Sequence, residues 1–117
     1  DKAGRIGALP FSVDYWIVYW NKDLFAAKGL AFPTTFEEMA AAAEKLTDPA
    51  NGIYGFVARG MKNANTPVFT SFLLGWGVDS VTNGKLVTDG PEAIESAELY
   101  QRRLTKAAPT GVPGFTW

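Results

Sequence analysis

Two short runs of strand-forming residues, separated by one well-capped amphipathic helix, constrain the fold of this chain more than any other feature. The first run covers residues 15–20 and the second covers residues 53–58, and neither contains a charged side chain. Uninterrupted runs of this kind are typical of strands that are covered on both faces. Strands that alternate with helices along the chain predict an α/β fold.

The helix between the two runs has the clearest signals. Either Thr34 with Glu37 or Thr35 with Glu38 fits a capping box. Apolar residues follow at helical spacing as far as Leu46. The helix is therefore predicted to start beside Thr34 or Thr35 and to bury one face.

Weaker signals predict further elements on both sides. Residues 5–11 indicate a short strand, Asp23 caps a short helix that Gly29 ends, and residues 109–114 are an extended tail. Thr66 and Pro67 start a helix that ends at residues 75–77. The Asn83-Gly84 pair predicts a hairpin turn, and residues 89–92 start the last helix.

Composition excludes several classes of function. The 117 residues are the size of one domain, and 11 basic against 12 acidic residues give no charge that would attract nucleic acid. The chain has no Cys and no His, so Cys–His and Ser–His nucleophiles are impossible and neither a metal nor a cofactor is predicted. No apolar run approaches the roughly 20 residues of a membrane span, and no signal peptide is predicted within these residues. Because the chain begins at Asp1 without Met and stops at residues 115–117 without a polar tail, both ends are expected to be cut points in a longer sequence.

A constellation around the first run suggests a binding site. Asp14 is expected where a loop enters the strand, and its carboxylate could accept hydrogen bonds from two hydroxyl groups. Tyr15 and Trp16 follow and would point to opposite faces, so only one of them can line a pocket. The alternative is that Asp14 caps a turn and both aromatic residues lie in the core.

The second run adds polar candidates. Arg59 is expected at the end of this strand, where open α/β sheets bind ligands, and its forked donors suit sugar hydroxyls. Asn63 and Asn65 in the following loop are weaker candidates, because Asn in loops often makes turns. The alternative for Arg59 is a solvated surface position.

Two tryptophans are candidates for stacking against a sugar ring. Trp76 lies between two glycines, which could expose one face of its indole, although core packing is the favoured alternative. Trp117 follows a Pro- and Gly-containing stretch and could form a stacking platform. Trp20, before a turn, is predicted to lie in the core.

Several segments in order resemble one family. They are Leu-Pro-Phe-Ser-Val-Asp at 9–14, Tyr-Trp-Asn-Lys-Asp-Leu-Phe at 19–25, Pro-Thr-Thr-Phe-Glu-Glu at 33–38, Gly-Ile-Tyr-Gly-Phe at 52–56 and Gly-Trp-Gly-Val-Asp at 75–79. Together these segments resemble the family 1 extracellular solute-binding proteins, which include maltose-binding-like receptors. Residues 11–16 and 111–117 are more similar to the sorbitol- and mannitol-binding branch.

The resemblance implies a two-lobed periplasmic receptor of an ABC importer, without enzymatic activity. Residues 1–117 would form part of the C-terminal lobe of a type II periplasmic binding protein, with a mixed sheet flanked by helices. The implied partners are a sugar or polyol and the ABC permease, and Asp14 matches an acidic residue that contacts ligand in the family. The usual Gly-Gly-Asp of the family is Gly77-Val78-Asp79 here, preceded by Trp76.

Two other hypotheses remain at this point. The first is an excised or engineered lobe that binds weakly or not at all and associates into a homodimer through exposed edges. The second is a glycosidase fragment with Asp14 and Asp79 as its carboxylate pair. A sugar-binding role explains Asp14 better than the second hypothesis does.

Overall fold

Four α-helices and one short hairpin make up most of the regular structure in the computed structural model, which describes residues 3–115. The helices are α1 (Lys22–Ala27), α2 (Phe36–Leu46), α3 (Lys62–Gly75) and α4 (Pro91–Glu98). The hairpin pairs β1 (Val81–Thr82) with β2 (Lys85–Leu86) in an antiparallel register. A π-helical turn (Leu99–Leu104) and a 3₁₀ turn (Thr105–Ala107) continue α4, and further 3₁₀ turns cover Pro49–Asn51 and Val112–Gly114. Within residues 3–115, no helix is long and apolar enough to span a bilayer.

The main core lies between α2, α3 and the π-helical turn after α4. Leu104 is fully buried at its centre, and the ring of Phe72 packs against Tyr100 with centroids 4.9 Å apart. A smaller cluster joins α1 to the opposite side of α2 through Phe25 and Leu46. The buried members of the main core are Ala40, Ala43, Val68, Phe72, Leu99, Tyr100, Leu104 and Ala107.

The local signals read from the sequence are confirmed at two positions. The hydroxyl of Thr35 accepts a hydrogen bond from the Glu38 amide at 3.2 Å, which decides between the two capping-box alternatives. Glu38 in turn accepts from the Thr34 amide at 2.7 Å, and this contact lowers the pKa of its carboxyl. In the hairpin, Asn83 and Gly84 both have positive φ, 52° and 76°, as a two-residue type I′ turn requires.

Two predicted helix starts are wrong. Asn21, not Asp23, caps α1, because its side-chain oxygen accepts from the amides of Asp23 and Leu24 at 3.0 and 3.1 Å. α3 begins at Lys62 rather than at Thr66, and Pro67 lies inside it. The earlier start buries Ala64 on the same face as Val68, and Pro67 leaves one backbone hydrogen bond of the helix unmade.

The predicted strands at 5–11 and 15–20 are absent from the structure. Residues 5–20 have no regular structure, and no backbone hydrogen bond joins residues 6–20 to another described part of the chain. A strand needs a neighbour to bond its N–H and C=O groups, and residues 3–115 provide none beside this segment. Phe11, Tyr15 and Tyr19 consequently remain at least 83% exposed.

The predicted strand at 53–58 is also absent, because its hydrogen bonds go to helical elements instead. The amide of Gly55 donates to the Thr47 hydroxyl at 3.1 Å, and the amide of Phe56 donates to the Ala107 carbonyl at 3.1 Å. Only Ile53 forms an isolated bridge, to Asp48. In the described residues the hairpin is therefore the only sheet, and the predicted mixed sheet flanked by helices is not formed.

Candidate functional site

The structure brings two of the predicted binding residues into contact. The guanidinium carbon of Arg59 lies 4.9 Å from the centroid of the Trp16 ring, within the range of a cation–π interaction. Trp16 is 49% exposed, so part of its indole stays open to solvent. The pair therefore combines a flat apolar surface with a forked hydrogen-bond donor.

The backbone next to Arg59 is held from the other end of the chain. The amides of Gly60 and Met61 donate to the carbonyl of Phe115 at 3.1 and 3.0 Å. A Cβ atom at Gly60 would lie 2.0 Å from the Val112 carbonyl oxygen, so only glycine permits this close approach. The predicted extended tail instead contains the 3₁₀ turn Val112–Gly114, and this turn fixes the backbone position from which Arg59 projects.

The exposed fractions along the first run show which side faces the protein. Tyr15 and Tyr19 are 83% and 87% exposed, whereas Trp16 and Trp20 are 49% and 38% exposed. The two tryptophans are thus the more covered side chains of the run, whereas Ile17 and Val18 are equally exposed at 63% and 62%. Trp16 faces Arg59, and Tyr15 points away from it. The ring of Trp20 packs against Phe25 and Phe32, with centroids 5.0 and 5.1 Å apart.

Asp14 is exposed and lies two residues before Trp16. No hydrogen bond or ion pair involving its side chain appears among the described residues, so its carboxylate is not used by a local turn. Asp14 is thus an exposed hydrogen-bond acceptor close to Trp16 in the chain.

Asn65 has a different environment from the predicted polar loop. It lies in the second turn of α3, and its side-chain oxygen accepts a hydrogen bond from the hydroxyl of Tyr100. Burial raises the pKa of Tyr100, so this hydroxyl stays a donor at neutral pH. Asn63 is exposed in the first turn of the same helix.

Trp76 borders a separate groove of about 470 Å³ between the start of α2 and the end of α3. Its indole stacks on the ring of Phe36, with centroids 5.4 Å apart and planes 14° apart. A Cβ at Gly75 would lie 2.1 Å from Phe36, so the glycine before Trp76 allows this stacking. The groove is lined by Thr34, Thr35, Phe36, Glu37, Gly75 and Trp76.

The structure does not bring Trp76 together with Arg59. Arg59 precedes α3 and Trp76 follows it, and a helix of 14 residues is about 21 Å long. One small sugar cannot reach both ends of α3. The predicted platform Trp117 lies outside the described residues.

The Trp16–Arg59 pair offers an apolar face and hydrogen-bond donors. In residues 3–115, no group of three or more acidic side chains is placed to hold a metal ion. Sequence reasoning did not identify Gly60 and Phe115, which hold Arg59 in place. The glycine directly after the candidate arginine was the only signal for that close approach.

Comparisons with known proteins all match solute-binding proteins. The family model described as bacterial extracellular solute-binding protein matches residues 1–117. The chain is 33% identical to the mannitol-binding protein of Pseudomonas aeruginosa, in an alignment of 125 positions that covers 92% of the chain and 26% of that protein. It is 30% identical to the putative ABC transporter periplasmic-binding protein YcjN of Escherichia coli, over 83% of the chain and 24% of that protein.

A solved structure is similar as well. An ABC transporter solute-binding protein from Agrobacterium radiobacter K84, crystallised in complex with ribitol, matches 82% of the chain with a TM-score of 0.66 and 36% identity. The match covers 25% of that protein. The chain thus spans about a quarter of the length of the relatives that it matches.

Proposed function

The chain belongs to the bacterial extracellular solute-binding proteins, and from this premise we propose that it forms part of a receptor for a sugar or sugar alcohol taken up by an ABC transporter. The observation that carries the proposal is the Trp16–Arg59 pair, a half-exposed indole next to a guanidinium on a fixed backbone. Similar proteins include one named for mannitol and one crystallised with ribitol, both linear polyols.

The chemistry of a polyol fits this pair. A polyol presents C–H groups that pack on an indole face and hydroxyls that both donate and accept hydrogen bonds. Arg59 supplies only donors and Asp14, when ionised, only acceptors. Arg59 would therefore donate to hydroxyl oxygens of the ligand, and Asp14 would accept from its hydroxyl hydrogens. Trp16 supplies the apolar surface between them, whereas Tyr15 faces away and would meet a ligand only from another direction.

The proposed role extends to the whole receptor. The ligand would lie in a cleft between two lobes, this chain would be part of the C-terminal lobe, and hinge closure would bury the ligand. The parent protein would act in the periplasm and deliver the ligand to the ABC permease. A role in binding and transport requires no catalytic residue and no cofactor, so we propose no enzymatic activity.

Isothermal titration calorimetry with mannitol, sorbitol, ribitol and maltose tests the proposal. Because this chain supplies one wall of the cleft, we expect dissociation constants in the millimolar range or weaker, where each tenfold change is about 1.4 kcal/mol. Trp16→Ala and Arg59→Gln should abolish the heat of a polyol titration, and Trp76→Phe should leave it unchanged. Micromolar affinity for any of these ligands would contradict the single-wall description.

The second hypothesis is an isolated lobe without binding activity. Its support is the large exposed apolar surface of residues 6–20, which a self-sufficient receptor domain would cover. Under this hypothesis none of the four ligands produces heat that depends on Trp16 or Arg59. Asn65 and the Trp76 groove would then have structural roles only.

A further inference from the structure

The π-helical turn that follows α4 carries a polar group into the main core. Tyr100 lies in this turn and is 9% exposed. Its ring packs against those of Phe56, Phe69 and Phe72, with centroids 6.4, 5.9 and 4.9 Å apart. A buried phenol needs a hydrogen-bond partner, and π-helical turns frequently occur at functional sites. The partner of Tyr100 therefore indicates what this turn does.

The hydroxyl of Tyr100 finds its partner in α3. It donates to the side-chain oxygen of Asn65, 35 positions earlier in the chain. An asparagine amide has two different ends, an oxygen that accepts hydrogen bonds and an NH2 group that donates them. Because the oxygen is bonded to Tyr100, the NH2 group of Asn65 is turned away from Tyr100.

The NH2 group of Asn65 remains available as a donor. Within residues 3–115, the bond to Tyr100 is the hydrogen bond that the Asn65 side chain makes. In the same residues, the Oγ atom of Ser96 is the only buried side-chain nitrogen or oxygen without a partner. The unbonded amide nitrogen of Asn65 is therefore in contact with solvent.

Asn65 lies at the same end of α3 as Arg59. Its backbone amide donates to the Met61 carbonyl at 3.1 Å, and Met61 follows Arg59 by two residues. The amide of Met61 in turn donates to the Phe115 carbonyl at 3.0 Å. The backbone that carries Arg59 and the backbone that carries Asn65 are thus held by one continuous set of hydrogen bonds.

We propose that Tyr100 is a positioning residue, which holds the Asn65 amide so that its NH2 group donates to a hydroxyl oxygen of the ligand. The proposal rests on the proposed binding of a polyol, and it adds a second donor side chain to Arg59. A donor that is fixed before binding loses less conformational entropy when the ligand arrives. Removal of the Tyr100 hydroxyl should therefore weaken binding although Tyr100 does not touch the ligand.

The side-chain ¹H–¹⁵N signal of Asn65 tests the positioning without any ligand. In the parent chain we expect an order parameter of about 0.8 for this NH2 group, and Tyr100→Phe should lower it below about 0.6, because the amide is then free to turn. Tyr54→Phe, at an exposed tyrosine, is the matched control. Asn65→Ala assigns the signal, and the exposed Asn63 gives the value for an unrestrained amide.

A titration with mannitol tests the effect on binding. The initial slope of the Trp16 indole shift against mannitol concentration reports affinity without saturation. Asn65→Ala and Tyr100→Phe should each reduce this slope about threefold to tenfold, which corresponds to one lost hydrogen bond. Because Tyr100 acts through Asn65, the double variant should be no weaker than Asn65→Ala. Asn63→Ala is the control and should keep the parent slope.

The outcomes separate this proposal from the proposed function. An order parameter that Tyr100→Phe leaves unchanged would overturn the positioning role, whether or not a polyol binds. A parent slope in Tyr100→Phe, or additive losses in the double variant, would reduce the bond to a structural link between α3 and the π-helical turn. If mannitol does not move the Trp16 signal of the parent, the proposed function and the ligand contact of Asn65 fail together, and the ligand-free signal still decides whether Tyr100 holds the amide.

Discussion

The helical body, made of α1–α4 and the turns that connect them, and the N-terminal segment, residues 6–20, have similarly apolar sequences. They differ in how far their apolar side chains are buried. Leu104 and Leu73 in the body are 0% and 3% exposed, whereas Leu9 and Phe11 in the segment are 82% and 101% exposed. A helix bonds its own backbone and needs only a neighbour for its apolar face. A strand needs a neighbour for its backbone as well. The comparison teaches that the helices pack on one another, whereas the strand-like segment has no backbone partner within residues 3–115.

The largest expected difference in the free energy of unfolding comes from truncating one side chain in each region. Leu104→Ala should destabilise the fold by about 2–5 kcal/mol, because it leaves a cavity at a fully buried position. Val18→Ala should change the free energy of unfolding by less than about 0.5 kcal/mol, as at other surface positions. Urea unfolding at a low protein concentration measures both. A cost above 1 kcal/mol for Val18→Ala would show that the monomer already packs the segment.

Two glycines provide the next comparison. Gly60→Ala should cost about 1–3 kcal/mol, because its Cβ would meet the Val112 carbonyl at 2.0 Å. Gly7→Ala has nothing within 4 Å and should be close to neutral. Thermal unfolding of the two variants measures the difference. Equal melting temperatures would mean that the 3₁₀ turn Val112–Gly114 does not hold the loop at Arg59.

A helix cap and an unbonded serine give a smaller contrast. Thr35→Ala removes the cap of α2 and should cost about 1 kcal/mol. Ser12→Ala, in the segment, removes no hydrogen bond to a described residue and should be neutral. Urea unfolding measures both variants, and a neutral Thr35→Ala would show that the cap does not stabilise α2.

The smallest expected effect concerns one ion pair within the body. Arg103 donates to Glu44 through two bonds of 2.8 and 3.0 Å, and this contact lowers the pKa of Glu44. A lowered folded-state pKa gives stability that is present above the unfolded pKa and is lost as the pH falls through the folded value. Glu44→Gln should therefore flatten the loss of stability between about pH 5 and pH 3.

A double-mutant cycle separates this pair from its surroundings. Both partners are more than a third exposed, so the expected coupling is below about 1 kcal/mol. Glu44→Gln and Arg103→Gln should have equal effects on the acid slope, and the double variant should add nothing. Additive effects would show that the two side chains act independently in solution.

The parts of the fold that short-range chemistry determines could be predicted from the sequence. The Thr35–Glu38 cap, the Asn83-Gly84 turn and the start of α4 at Pro91 depend on residues within four positions of each other. The strands could not be predicted in the same way, because their formation depends on partners elsewhere. Residues 53–58 bond to Thr47 and Ala107, and no local pattern in the sequence indicates this.

The candidate site shows the same distinction between local signals in the sequence and contacts that depend on the fold. The sequence identified Trp16 and Arg59, but the contact between them joins residues 43 positions apart and depends on the fold. It also grouped Trp76 with them, because sequence distance does not reveal that α3 separates the two ends by about 21 Å. The sequence predicts Asn65 in a ligand-binding loop, whereas the residue lies in α3, which begins at Lys62.

The signals of the four tryptophan indole N–H groups in a ¹H–¹⁵N correlation spectrum test the central claim most directly. During titration with mannitol or ribitol, with ethylene glycol as the matched solvent control, the Trp16 signal should move and the Trp76 signal should stay in place. Trp16→Phe and Trp76→Phe assign the two signals. A Trp76 signal that moves while Trp16 stays still would contradict a hydroxyl-binding surface at Trp16 and Arg59.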